Sequence, residues 1–107
     1  MNLKSNIEVM AMTTTISKIK DIVSQIAPSY PIICVDLFGS YATNEATESS
    51  DVDLLVYFDR KTATLFDLIG LKLSMEDELD LKVDVVSGPL KKESYLTIHK
   101  KIRIYEA

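Results

Sequence analysis

One stretch constrains this chain more than any other: Asp51-Val52-Asp53-Leu54-Leu55-Val56-Tyr57-Phe58. Its first half alternates acid with aliphatic side chain, and its second half is apolar throughout. A β-strand turns successive side chains to opposite faces, so a segment apolar on both faces must be covered on both. Residues 51–58 therefore read as a central strand of a sheet. The same alternation sends Val52 and Leu54 into the core and puts Asp51 and Asp53 together on the other face, with Cα atoms about 6.5–7 Å apart. Two like charges at that separation repel unless a cation sits between them. Hard divalent ions such as Mg2+ take oxygen ligands and suit such a pair. A solvated strand end is the plainer reading, and from the pair alone the two stand level.

The remaining pattern supplies partners for that strand. Residues 32–38 are apolar and rich in β-branched side chains, which predicts another strand, broken by Gly39-Ser40. Residues 82–86 form a third, ended by Gly88-Pro89. A last short strand covers 102–105. Thr13 to Thr15 offer N-caps for a helix with Ile16, Ile19, Val23, Ile26 and Ala27 on one face, closed by Pro28 and Pro31. Thr62 or Thr64 caps a second helix, whose buried side is expected to be Leu65, Leu68, Ile69, Leu73, Met75 and Leu79. Residues 41–50 read as one helical turn plus a loop, and residues 91–100 as a third helix. Residues 1–12 carry little pattern and are expected to fray. Residues 13–107 then form one α/β (α+β) domain, a small mixed β-sheet flanked by helices.

Composition limits the function. Of 107 residues, 47% are apolar and 26% charged, the balance of a soluble globular domain, and the net charge is −4. A surface made to hold nucleic-acid backbone or anionic lipid needs clustered cations, so neither partner is expected. No apolar run approaches the roughly 20 residues of a membrane span, and residues 1–12 lack a signal-peptide pattern. The lone Cys34 has no internal disulfide partner, and no Cys/His cluster suggests zinc. The expected address is cytoplasmic.

Two further features bear on chemistry. Gly39-Ser40 follows a strand and opens a helical turn, where free N–H groups and the Ser40 hydroxyl suit phosphate oxygens. A plain turn with a serine cap is the commoner use of that pair. Asp84 lies inside the apolar run Lys82-Val83-Asp84-Val85-Val86, a costly place for a carboxylate without a partner. If this strand lies beside 51–58, Asp84 joins Asp51 and Asp53. Three converging carboxylates make a site for one or two Mg2+ ions, and two ions about 3.5–4 Å apart activate an attacking hydroxyl and steady a displaced phosphorus. An ordinary edge-strand aspartate is the alternative.

Taken together, Gly39-Ser40, ten residues, Asp51-Val52-Asp53 and a later strand Asp84 resemble the DNA polymerase β-type nucleotidyltransferase superfamily. The short chain resembles its minimal nucleotidyltransferases (MNT). The resemblance implies transfer of a nucleoside monophosphate, with ATP the expected donor, to a hydroxyl as pyrophosphate leaves. By position, Asp51 and Asp53 would bind both Mg2+ ions. Asp84 would complete the metal site and take the hydroxyl's proton, while Gly39 and Ser40 would hold the β and γ phosphates. The resemblance also implies a HEPN-domain protein partner in a toxin–antitoxin pair, with this chain as the antitoxin that places AMP on a partner tyrosine.

The chain departs from the family where Arg or Lys followed by Gly is common and Thr43-Asn44 stands instead. Asn tolerates positive φ, so the turn is expected to survive. Thr43 supplies no cation, which leaves Mg2+, Lys72, Lys82 or a partner residue to neutralise the triphosphate. Two other functions therefore compete: a nucleotide-binding antitoxin acting by contact alone, and a small-molecule nucleotidyltransferase whose acceptor pocket would need a homodimer. Asp36 reads as a residue that supports the site or caps its strand, Cys34 as a core filler, and His99, beside Tyr95 and Ile98, as a packing or partner-facing residue.

Overall fold

The computed structural model describes residues 15–89 and 100–107. The expectation for residues 1–12 and that for a helix over 91–100, His99 included, lie outside the described residues, save Lys100, which is in neither helix nor strand. Helix α1 (Ile16–Ile26) starts where Thr15 Oγ1 accepts from the Lys18 N–H at 3.1 Å. It buries Ile19 and Val23 and passes through a 3-10 turn, Ala27–Ser29, that carries Pro28. Strand β1 (Ile32–Phe38) follows, then β2 (Val52–Phe58), α2 (Leu65–Leu79), β3 (Val83–Ser87) and β4 (Ile102–Glu106). Helix α2 opens on a reciprocal cap, the Asp67 carboxylate accepting from the Thr64 N–H at 2.8 Å.

The four strands form one mixed sheet in the order β3-β2-β1-β4. β1 pairs antiparallel with β2 and with β4, and β2 pairs parallel with β3. β2 is thus central, as its two apolar faces require. Val52, Leu54 and Val56 join Val35, Leu37 and Val83 in one core cluster with Ile19 and Val23 of α1 and Leu71, Met75 and Leu79 of α2. By alternation, Asp53, Leu55 and Tyr57 point from the opposite face of the sheet.

Helix α2 corrects one expectation. Its inward line is Leu68, Leu71, Met75 and Leu79, while Leu65, Ile69 and Leu73 point outward, 70%, 42% and 58% exposed. The helix is apolar over an arc wider than one face, so spacing alone does not choose the line that meets the sheet. Packing against Val52 and Val83 chooses it.

The sheet also buries one charge. Asp36 is 1% exposed, on the face away from the helices. Arg103, its Cα partner across β1–β4, closes on it with Nε on Oδ1 and Nη2 at 3.4 Å from Oδ2. Lys101 Nζ lies 3.8 Å from the same carboxylate. That carboxylate is what holds the Arg103 guanidinium far above its usual pKa. Removing the partner of a buried charge is far more harmful than removing both. Arg103→Met is expected to lower stability because it leaves the buried Asp36 with only the more distant Lys101, and Asp36→Leu with Arg103→Met to recover most of the loss. Urea unfolding measures both, and equal midpoints for wild type and Arg103→Met would refute the role of the pair.

Candidate active site

The site lies at the end of the sheet where β1 runs out and β2 and β3 begin. β1 leaves the sheet at Phe38, the Cα partner of Asp53. Gly39 then takes φ +73°, a left-handed conformation that glycine adopts without strain. It opens a 3-10 turn, Gly39–Tyr41, closed by the Ala42 N–H donating to the Gly39 carbonyl at 3.0 Å. Tyr41 and Ala42 anchor the turn in the core. Thr43 donates its hydroxyl to the carbonyls of Gly39 and Ser40, each at 3.4 Å. Asn44 has φ 61°, so the turn survives without glycine, as expected.

The return to β2 is made by a tight polar turn. The Ser50 N–H donates to the Thr47 carbonyl at 3.1 Å, and the Thr47 N–H to Ser50 Oγ at 2.8 Å. The Val52 N–H then donates to the Lys82 carbonyl at 2.9 Å, tying the start of β2 to the start of β3. That parallel pairing puts Asp84 beside Asp53 as Cα partners on one face. Gly39 closes the other side. A Cβ built there would overlap Asp53 Oδ2 and stand 3.0 Å from Cγ, so the carboxylate occupies the space that a side chain at 39 would take.

The electrostatics follow from this crowding. The Asp53 carboxyl is raised above the ordinary aspartate value, first by burial, then by the charge of Asp84, then by that of Asp51. Asp51, just outside the strand, has its carboxylate 3.8 Å from Lys82 Nζ. The expected trio therefore shares one end of one face, but not as a closed cage. Among the described residues, no three His, Cys, Asp or Glu side chains stand together as a ready metal cluster. Lys82 draws on Asp51, and mutual repulsion opposes tighter approach. The donor set nonetheless fits a hard divalent cation: it is all carboxylate oxygen, and burial and the neighbouring charges of Asp84 and Asp51 both raise the Asp53 carboxyl, which a cation would relieve.

Of the two lysines named as stand-ins for the missing basic residue, Lys82 stands at the site. Lys72 is on α2, across the sheet, 3.8 Å from Glu76. Arg103 and Lys101, not anticipated, lie on the site's own face around Asp36, 5.8 Å and 6.0 Å from the Tyr57 ring centroid. The alternation Ile102-Arg103-Ile104 was the available signal that Arg103 leaves the core face.

The profile of the nucleotidyltransferase domain family matches residues 16–106. The chain belongs to that family. A nucleotidyltransferase from Methanocaldococcus jannaschii, named as a protein adenylyltransferase, is 40% identical over 72% of this chain and 83% of its own length. The protein adenylyltransferase MntA of Thermococcus cleftensis is 44% identical over 49% of this chain and 52% of that one. Among solved structures, a minimal nucleotidyltransferase superposes with TM-score 0.61 at 36% identity, covering 69% of this chain and 78% of its own. The MNT antitoxin in complex with tri-AMPylated HEPN toxin from Shewanella oneidensis superposes with TM-score 0.59 at 20% identity, covering 87% and 74%. That last likeness shows the nucleotidyltransferase fold. The mixed sheet flanked by helices and the resemblance to minimal nucleotidyltransferases are both borne out. No helix among the described residues is long and apolar enough to cross a membrane.

Proposed function

We propose that this nucleotidyltransferase moves AMP from ATP onto a hydroxyl of a HEPN-domain protein and acts as the antitoxin of that pair, in the cytoplasm where ATP is plentiful. The observation that carries the reading is the placement of Asp53 between Asp84, its register partner, and Gly39, whose missing Cβ gives the carboxylate its space. Asp51, Asp53 and Asp84 would hold Mg2+. When bound, the metal would supply positive charge to the phosphoryl group in transfer. The partner's hydroxyl oxygen forms a bond to the α-phosphorus, the bond to the pyrophosphate oxygen breaks, and Asp84 takes the hydroxyl proton. The N–H groups that begin the Gly39 turn have no partner within a helix and, with the Ser40 hydroxyl, hold the outgoing phosphates. Positive charge on this face comes from Lys82 beside Asp51 and from the Arg103 and Lys101 pair around Asp36.

The names of the relatives support protein adenylylation, and the complex with an AMPylated HEPN toxin supports the class of partner. The test is to incubate the protein with Mg2+, labelled ATP and the product of a gene encoding the proposed HEPN-domain partner. Label on a tyrosine of that product is expected. No label from any of the four NTPs would remove the protein-adenylylation reading. Thr43, which bonds to its own turn instead of offering a cation, favours a second reading. In that reading, the chain binds nucleotide weakly and neutralises its partner by contact.

A further inference from the structure

Among the described residues, α2 carries four of the five large apolar side chains that are exposed. Phe66, Ile69 and Leu73 lie in line at i, i+3 and i+7, with Phe66 83% exposed and Leu65 beside it. The stripe continues to Asp77, and Asp80 caps the helix just beyond it, both exposed. Before the helix, the exposed turn carries Arg60 and Lys61. Read along its axis, the face is basic, then apolar, then acidic. A helix apolar on both sides is one that is covered on both sides.

We infer that this face is the seam of a homodimer, in which α2 of one copy crosses α2 of a second copy antiparallel about a two-fold axis. The charge order decides the occupant and its direction. With Phe66 of one copy across from Leu73 of the other, the crossing falls at Ile69-Gly70, and Lys61 comes level with Glu78. The basic turn of each copy then meets the acidic tail of the other, twice, as an isologous interface requires. A parallel pairing would set acid on acid and base on base, and the helix dipoles would oppose it too. The spacing of Phe66, Ile69 and Leu73 suits side chains interlocking along a shallow helix crossing. The seam lies on the helix-covered side of the sheet, away from Asp53 and Asp84, so two copies would present two independent sites.

Sedimentation equilibrium of the full chain from micromolar to millimolar concentration tests this. A monomer–dimer equilibrium is expected. Phe66→Asp with Leu73→Asp should leave a monomer throughout, with an unchanged circular dichroism spectrum because both positions are exposed. Arg60→Glu with Lys61→Glu should weaken the dimer at least tenfold, and adding Asp77→Lys with Asp80→Lys should restore it. A wild-type monomer at every concentration overturns the proposal, as does a dimer that survives Phe66→Asp with Leu73→Asp. If the wild type is monomeric alone and that variant loses its HEPN partner, the face belongs to the partner and the proposal also falls. Adenylylation of the partner is scored separately, so failure of either reading is recognised on its own.

Discussion

Asp51→Asn with Asp53→Asn is expected to leave the fold intact and reduce AMP transfer to background. Both side chains sit at the charged end of β2, outside the core that Val52, Leu54 and Val56 fill. Amides keep the shape and lose the charge that attracts a divalent cation. Asp84→Asn, which removes a proton acceptor as well, is expected to cost about 10²–10⁴-fold in rate. The double variant also separates the two readings of the antitoxin. If it folds and still neutralises the HEPN partner fully, chemistry is dispensable and contact suffices. If it folds and fails, transfer or metal-dependent nucleotide binding is required.

The same site predicts a pH signature. The Asp53 carboxyl is raised by burial and by the charges of Asp84 and Asp51, so the folded protein holds that proton more tightly than the unfolded chain does. The stability this contributes is fully present below the unfolded value and is lost as pH rises through the folded value. In chelator, Asp53→Asn should therefore gain on the wild type in urea unfolding as pH climbs from below the ordinary aspartate range, then level off. A stability difference that does not vary with pH would mean that neither burial nor the charges of Asp84 and Asp51 raise the Asp53 carboxyl. Mg2+ should narrow the difference at neutral pH by stabilising the wild type alone.

Gly39→Ala is expected to damage both stability and turnover. At φ +73° an alanine backbone is strained by about 1–3 kcal/mol. The larger consequence is local, because the new Cβ overlaps the Asp53 carboxylate and must push it away. Displacing a reacting group by about 1 Å can cost on the order of 10²-fold in rate. Urea unfolding and single-turnover AMP transfer, measured on the same preparation, check the two effects. Ser40→Ala, which removes only a hydroxyl, should leave stability near wild type and slow transfer less. A Gly39→Ala protein with unhindered turnover would show that the Asp53 carboxylate is not held in place by the turn.

Much of this protein is determined within short stretches of sequence. The strand period places Asp51 and Asp53 on one face and Val52 and Leu54 on the other. Thr15 and Thr64 start their helices, and Asn44 keeps the turn in a left-handed conformation without a glycine. These are local matters, settled by backbone sterics, capping and alternation over a few residues. Other features wait for contacts between distant segments. Asp84 stands beside Asp53 only because β3 runs parallel to β2, and Lys82 reaches Asp51 through the same pairing. Asp36 finds its counter-charge in Arg103 through the β1–β4 register, which no local pattern encodes. Helix α2, apolar over an arc wider than one face, turned Leu71 inward and Leu73 outward because the sheet fitted one line of it. Local rules act through the chain itself, whereas pairing and face selection are decided by what the folded chain brings alongside.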